Sequence, residues 1–320
     1  YLRELNEATF GTDAEIITVG EMSSTTMENC YQYANEDGKE LSMVFSFHHL
    51  KVDFMGNEKW VIVPFDFQKL KKILFDWQVN MGKHHAWNAV FWCNHDQPRV
   101  VSRFGNVEKY WKESAKMLGT VIHCLRGTPY IYQGEELGMT NAGFTDISQY
   151  KDVESLNHFR ILQEKGLTEE NAYQILQIHS RDNSRTPMQW NSGENGGFTT
   201  GEPWIEVNKN CSYINAEAEL QDEDSIFHYY QKLIALRKEY DVIAYGELKP
   251  LDEKNPSVFA YEREYQGEKM LVICNFYGKE VTWDSETELG EYQCVLSNYE
   301  VHNIEGSRIG LKPYEAVVLY

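Results

Sequence analysis

Residues 88–93, of sequence NAVFWC, constrain the fold of this chain more than any other segment. They form an apolar run that ends abruptly in Asn94, His95 and Asp96. A short continuous apolar run predicts a strand buried on both faces, which is typical of parallel α/β sheets. In barrels built from such strands, functional side chains lie at the carboxyl ends. The run therefore makes His95 and Asp96 candidate site residues, with a capped strand end and a satisfied His–Asp pair as the purely structural alternative.

The first 140 residues alternate strand and helix signals. Strands are predicted at about residues 16–20, 43–47, 88–93 and 129–132. A helix is predicted over 66–82, with Asp66 as its N-cap, and another over 108–127. Strand–helix repetition with polar residues at strand ends is typical of a (β/α) barrel. Four strands are half of the eight in such a barrel and would leave open sheet edges. We therefore expect an α/β fold that is the C-terminal half of a (β/α)8 TIM barrel.

The rest of the chain divides into an insertion and a second domain. We expect the barrel part to cover 1–245, with a long and mostly irregular loop insertion at 139–224 that contains one helix, over 168–179. Ser225 is the expected N-cap of the last barrel helix. Beyond it the hydrophobic period changes to two, and Gln266-Gly267 marks a hairpin. Residues 246–320 are therefore predicted to form a small antiparallel β-sandwich.

Charge and cysteine usage limit the classes of partner. The net charge is −19, from 49 acidic and 30 basic residues, which disfavours nucleic acid and anionic membranes as partners. No apolar run reaches the length of a membrane span. The six cysteines are scattered and form no CxxC pair, as expected of reduced thiols in a cytoplasmic protein.

Glu21 and Asp96 are the candidate catalytic pair, because each ends a predicted strand. Two carboxylates at neighbouring strand ends can divide the work of proton donor and charge stabiliser, if partial burial keeps one of them protonated. Glycoside cleavage needs both roles, and His95 could donate hydrogen bonds to sugar hydroxyls. A metal site is the alternative for the histidines, although their spacing matches no structural zinc pattern: His48, His49, His84, His85 and His95.

Four segments in sequence order, TVGEM, FWCNHDQPR, GTPYIYQGEELGM and SRDNSRTPMQW, resemble the α-amylase superfamily, glycoside hydrolase family 13. Within it they resemble the branch of oligo-1,6-glucosidases, dextran glucosidases and trehalose-6-phosphate hydrolases. The resemblance implies that Glu21 is the general acid/base and that Asp96 stabilises the transition state. It further implies that His95 binds sugar hydroxyls and that Arg99 lines the site.

Part of the family pattern has no counterpart in this sequence. The Arg-x-Asp motif that carries the family's nucleophile is absent, as is the usual calcium loop. The resemblance therefore implies that the nucleophile and any calcium site lie upstream, and that no cofactor is held by this chain. It also implies that residues 1–320 need the N-terminal half of the barrel as a partner and are inactive without it.

The resemblance to the branch that cleaves trehalose 6-phosphate rests on the residues after Glu21 and on two further segments, FSFHHLKVDF and GNEKW. An acidic protein must offset the charge of a sugar phosphate locally, and Lys51 and Lys59 could clamp the phosphate. The alternatives are an oligo-1,6-glucosidase or dextran glucosidase acting on isomaltose-type ends, and a non-catalytic subunit resembling transporter heavy chains. Arg181 and Asp182 are expected to form a buried ion pair that braces the site.

Overall fold

A four-stranded parallel sheet carries the candidate site. The computed structural model describes residues 1–13, 15–300 and 303–320. The strands pair in chain order and are β1 (Val19–Met22), β2 (Met43–Ser46), β3 (Asn88–Val90) and β4 (Thr128–Pro129). The predicted parallel sheet is thus confirmed, with β1 and β4 at its two edges. β3 is shorter than predicted, because residues 91–93 leave the ladder while remaining buried.

Five helices accompany these strands, and two of them, α3 and α5, correspond to the helices predicted over 66–82 and 108–127. They are α1 (Leu2–Thr9), α2 (Met27–Tyr33), α3 (Phe67–Lys83), α4 (Val100–Phe104) and α5 (Trp111–His123). Asp66 caps α3 by accepting a hydrogen bond from the Lys69 amide at 2.9 Å. Phe67, Leu70 and Leu74 form the buried face of this helix because their spacing matches the helical period.

The segment 139–224 is more regular than predicted. It contains α6 (Val153–Glu164), α7 (Glu169–His179), α8 (Asp182–Arg185) and α9 (Ala216–Gln221). The helix predicted over 168–179 is confirmed as α7, whereas the other three helices were not predicted. The hydrophobic pattern of α6 is weak, because one of its three buried residues is the polar Ser155. α6 and α7 share a small core with Trp60 and Phe144. This core fixes the insertion close to the carboxyl end of the parallel sheet.

Two helices connect the insertion to the C-terminal part: α10 (Ile226–Glu239) and α11 (Asp241–Tyr245). Ser225 is the N-cap of α10, as predicted, and accepts a hydrogen bond from the His228 amide at 3.1 Å. α10 packs against α5, where Tyr229 donates or accepts a hydrogen bond with Thr120 at 2.7 Å.

Two antiparallel sheets form the C-terminal part. The strands are β5 (Glu247–Leu251), β6 (Val258–Tyr265), β7 (Glu268–Asn275), β8 (Val281–Asp284), β9 (Cys294–Ser297), β10 (Asn303–Glu305), β11 (Arg308–Leu311) and β12 (Ala316–Leu319). They pair as β5-β6-β7-β12-β9 and β10-β11-β8. The predicted hairpin at Gln266-Gly267 is confirmed, with φ of 51° and 88° at its two central residues. Trp283 and Ile309 of the smaller sheet share a core with Ile273 of the larger one.

Candidate active site

A cavity of about 220 Å³ opens at the carboxyl ends of the parallel strands. Residues of β1 and β2 and residues that follow β2, β3 and β4 form its wall, and half of them are aromatic: Glu21, Phe45, Phe47, Phe91, Cys93, Asn94, His95, Tyr130, Ile131 and Tyr132. The rings pack on one another, with Phe45 in edge contact with Phe91 at 5.0 Å and with Tyr130 at 4.6 Å between centroids. The cavity therefore combines an apolar floor with a carboxylate and an imidazole.

Glu21 lies on β1, where it pairs in register with Phe45 of β2. Its side chain is exposed rather than partly buried as expected. The reason is topological: β1 is an edge strand, and no strand in the described part of the chain pairs with its outer side. Glu21 is thus free to contact a ligand in the cavity that it shares with His95.

Asp96 is held by an arginine to which the sequence patterns assign no role. Arg185 donates from Nη2 to Asp96 Oδ1 at 2.6 Å and from Nε to the His95 carbonyl at 2.9 Å. Its Nη1 lies 3.5 Å from Asp152 Oδ1, and Asp152 is the buried N-cap of α6. Two nitrogens of one rigid fork therefore fix the His95–Asp96 dipeptide, and the third ties it to Asp152 of α6. Arg185 belongs to the SRDNSR segment, whose likeness to the family is the one signal that could have pointed to it.

Arg181 does not pair with Asp182, so that expectation was wrong. Arg181 Nε lies 3.0 Å from Glu154 and its Nη1 lies 3.7 Å from Asp96 Oδ1. Asp182 instead accepts hydrogen bonds from the backbone amides of Lys151 and Asp152 at 2.7 and 2.9 Å. Both amides bond to Oδ2, while the buried Oδ1 of Asp182 has no hydrogen-bond partner among the described residues. The Arg181 guanidinium instead pairs with carboxylates nearer the cavity.

The structure corrects the placement of Arg99, which does not contribute to the wall of the cavity with Glu21. Arg99 is 1% exposed, and its guanidinium donates to the carbonyls of Gln133, Asn183 and Ser184 at 2.5–3.3 Å. It also lies 5.3 Å from the ring centre of Tyr132, a wall residue. Arg99 therefore braces the wall from behind, because its donors are already occupied by backbone carbonyls.

The two candidate phosphate ligands differ in their surroundings. Lys51 Nζ donates to the Ser23 carbonyl at 2.8 Å, which brings it beside the loop that follows Glu21. Lys59 Nζ lies 3.3 Å from Glu154 and 4.7 Å from the ring centre of Trp60. Burial lowers the pKa of Lys59, an effect that Glu154 opposes. The structure thus places Lys51 near Glu21, and Lys59 in a separate ion-pair cluster.

The histidines proposed as alternative metal ligands are engaged separately. His49 Nε2 lies 2.8 Å from the Phe91 carbonyl, and burial lowers the pKa of His49 to about 4. His84 stacks on Tyr31 with 3.8 Å between ring centres. Over residues 1–13, 15–300 and 303–320, no group of three or more His, Cys, Asp or Glu side chains is arranged to hold a metal ion. Within the same ranges, no helix combines the length and apolar composition needed to cross a bilayer.

Comparison with known proteins places the chain in a family. The family described as "Alpha amylase, catalytic domain" matches residues 1–246, and "Alpha-amylase SusG C-terminal domain" matches 258–318. Trehalose-6-phosphate hydrolase of Bacillus subtilis (strain 168) is 54% identical over 99% of this chain and 57% of its own length. Oligo-1,6-glucosidase of Bacillus cereus is 47% identical over the same shares.

Solved structures agree with this placement. The crystal structure of Bacillus licheniformis trehalose-6-phosphate hydrolase superposes with a TM-score of 0.96 at 53% identity, over 99% of this chain and 58% of that one. The chain thus spans little more than half the length of the relatives that it matches. Its sheet, its strand-end carboxylates and these similarities lead to one conclusion: the chain belongs to the alpha-amylase family.

Proposed function

We propose that this chain is part of a retaining α-glycoside hydrolase that cleaves trehalose 6-phosphate to glucose and glucose 6-phosphate. The observation that carries the proposal is the shared cavity of Glu21 and His95, with Asp96 fixed beside it by Arg185. The 54% identity to a trehalose-6-phosphate hydrolase supports this choice of substrate. A sugar phosphate as substrate also favours a cytoplasmic location.

In the proposed reaction, Glu21 protonates the glycosidic oxygen as it departs and later activates water. Asp96 stabilises the positive charge that develops on the sugar ring, and His95 donates a hydrogen bond to a ring hydroxyl. Arg185 contributes by holding Asp96 and the His95 backbone in a fixed relation. The nucleophilic aspartate of this retaining chemistry comes from outside residues 1–320.

We further propose that β1–β4 are the C-terminal half of a (β/α)8 barrel, with the domain boundary near residue 246. Both edge strands are flanked by exposed apolar side chains: Ile16, Ile17 and Val19 at β1 and Ile131 after β4. An N-terminal half that adds strands at both edges covers these side chains and delivers the nucleophile. We call the chain together with this half the completed enzyme. Any calcium site belongs to the added half.

Lys51 and Lys59 are the proposed phosphate ligands. Lys51 is the stronger one, because its ammonium contacts only a carbonyl among the described residues and lies beside the Glu21 loop. Lys59 is already paired with Glu154, so it meets the phosphate as part of a neutralised cluster.

The test is glucose release by the completed enzyme from trehalose 6-phosphate and from isomaltose at equal concentration. We expect a strong preference for trehalose 6-phosphate. Lys51→Ala is expected to raise KM for trehalose 6-phosphate roughly tenfold, the effect of losing one charge-assisted contact, while KM for an uncharged aryl glucoside stays constant. Lys69→Ala, at an exposed position on α3, is the matched control. Equal effects of Lys51→Ala on both substrates would remove its phosphate role.

The second candidate is an oligo-1,6-glucosidase acting on isomaltose-type ends. The pairing of Lys59 with Glu154 favours this candidate, because the positive charge of Lys59 is then already neutralised. The 47% identity to an oligo-1,6-glucosidase also favours it. A preference for isomaltose in the same assay would establish it. A non-catalytic subunit is disfavoured by the retention of Glu21 and Asp96 at one end of the sheet.

A further inference from the structure

A cluster of charged side chains lies next to Asp96 and outside the cavity wall. Three cations and three carboxylates make it up: Lys59, Arg181, Arg185, Asp96, Asp152 and Glu154. Formal charges therefore balance. Glu154 lies in the first turn of α6. It contacts Lys59 at 3.3 Å and Arg181 at 3.0 Å, two cations that Asp152 does not contact.

Arg181 is shared between Glu154 and Asp96. Its Nη1 is 3.7 Å from Asp96 Oδ1, the oxygen that Arg185 already contacts at 2.6 Å. Two guanidinium groups thus face one carboxylate, whose negative charge is what the proposed transition state needs. Coulomb energy falls only as the inverse of distance, so the negative charge of Glu154 acts on Asp96 as well as on its direct partner Arg181. At Asp96 it offsets part of the positive charge of Arg181.

Lys59, one of the two proposed phosphate ligands, is paired with the Glu154 carboxylate. Trp60, under the Lys59 ammonium, stacks on His158 with 4.6 Å between ring centres. His158 Nδ1 lies 3.0 Å from the backbone carbonyl of Glu154. The side chain of Lys59 is therefore held by α6 through an ion pair and a ring stack, and the Glu154 charge acts directly on it.

We propose that Glu154 is a positioning residue that sets the charge balance between Asp96 and the phosphate ligand Lys59. Its negative charge favours the cationic transition state by offsetting Arg181, and it opposes binding of an anionic phosphate by neutralising Lys59. Glu154 therefore raises turnover and lowers affinity for the phosphorylated substrate. The effect on phosphate binding rests on the proposed function, and the effect on turnover rests on Asp96 as the stabiliser of the transition state.

The test is steady-state kinetics of Glu154→Gln in the completed enzyme, with trehalose 6-phosphate and an uncharged aryl glucoside. We expect kcat to fall about 5- to 20-fold on both substrates, as for one charge removed near a partly exposed site. We expect KM for trehalose 6-phosphate to fall about threefold or more, with KM for the aryl glucoside unchanged. Misfolding cannot produce this split, because it lowers the amount of active enzyme for both substrates alike.

Two variants serve as controls. Glu154→Asp keeps the charge and is expected to retain most of the turnover lost in Glu154→Gln. Glu164→Gln removes the same charge from the exposed last turn of α6, where it pairs with Arg160 at 3.8 Å, and is expected to behave as wild type. An unchanged kcat on the aryl glucoside in Glu154→Gln, or a raised KM for trehalose 6-phosphate, overturns the inference. Wild-type enzyme without preference for the phosphorylated substrate instead overturns the proposed function, and the kcat comparison still decides the role at Asp96.

Discussion

At the residue scale, the contacts of Asp96 are one-sided. Arg185, Arg181 and His95 all approach Oδ1, at 2.6, 3.7 and 3.7 Å, while Oδ2 has no polar partner among the described residues. A carboxylate anchored through one oxygen keeps a fixed orientation and leaves the other oxygen for the substrate. Such preorganisation is what electrostatic stabilisation of a transition state requires.

The variant Arg185→Lys tests this anchoring. Lysine keeps the positive charge but cannot reproduce the three-nitrogen fork, so Asp96 and the His95 carbonyl lose their common partner. We expect kcat of the completed enzyme to fall by about 10- to 100-fold, with little change in the melting temperature. Arg160→Lys, at an exposed position on α6, is the control. A kcat within twofold of wild type would show that the fork is dispensable.

At the element scale, a short 3-10 helix, Glu135–Leu137, ties the loop after β4 to α10. Gly134 and Gly138 flank it, with φ of 85° and 65°, a region that suits glycine. The buried Glu135 accepts a hydrogen bond from the Tyr230 hydroxyl at 2.9 Å, and its Oε2 has no partner within the described part of the chain. Burial raises the pKa of Glu135 to about 8, although the Tyr230 contact opposes this rise. This shift favours the protonated carboxyl in the folded protein at neutral pH.

The raised pKa of Glu135 makes the stability of the protein depend on pH. Between the unfolded pKa of 4.5 and about 8, the unfolded chain releases the Glu135 proton while the folded protein keeps it, so the free energy of unfolding falls as pH rises through this window. A difference of one pH unit between the folded and unfolded pKa values corresponds to roughly 1.4 kcal/mol. Glu135→Gln removes the titrating group. We expect the melting temperature of this variant, relative to that of wild type, to increase progressively from pH 5 to pH 8. A difference between the two proteins that does not change with pH would contradict this assignment.

At the scale of the whole molecule, no strand within residues 1–13, 15–300 and 303–320 pairs with the outer side of β1 or of β4. An unpaired strand edge beside exposed apolar side chains is a template for association with another chain. Ile17, next to β1, is 69% exposed, and Ile131, after β4, is 37% exposed. The C-terminal sheets pack against α3 and α5 and leave both edges uncovered.

The isolated chain is accordingly expected to show no turnover of trehalose 6-phosphate. Without the nucleophile the rate should be at least about 10⁴-fold below that of the completed enzyme. Adding the N-terminal half as a separate chain is expected to restore activity. The measurement is glucose release by purified chain whose mass has been verified. Turnover by that sample alone would refute the need for an N-terminal half.

Much of the site's framework could be predicted from local sequence. The apolar run before His95 and the strand before Glu21 predicted strand ends at one edge of a parallel sheet, which the structure has. The two strands are not neighbours as expected, because β2 lies between β1 and β3. The cluster around Asp96 could not be predicted in this way. Arg185 and Asp96 are 89 residues apart, and Glu154 lies on a helix whose few buried positions include the polar Ser155. Those contacts depend on how the insertion packs, which no local period reveals.

The first turn of α6 has a consequence for how the proposed enzyme can change over evolutionary time. Glu154 and Asp152 lie outside the sheet and contact Arg181 and Arg185, the two arginines that approach Asp96. Mutations in that turn leave the strands and their chemistry untouched, yet they alter the field felt by the substrate. Substrate selectivity can therefore change independently of reaction type, so that related enzymes with identical catalytic groups come to prefer different substrates.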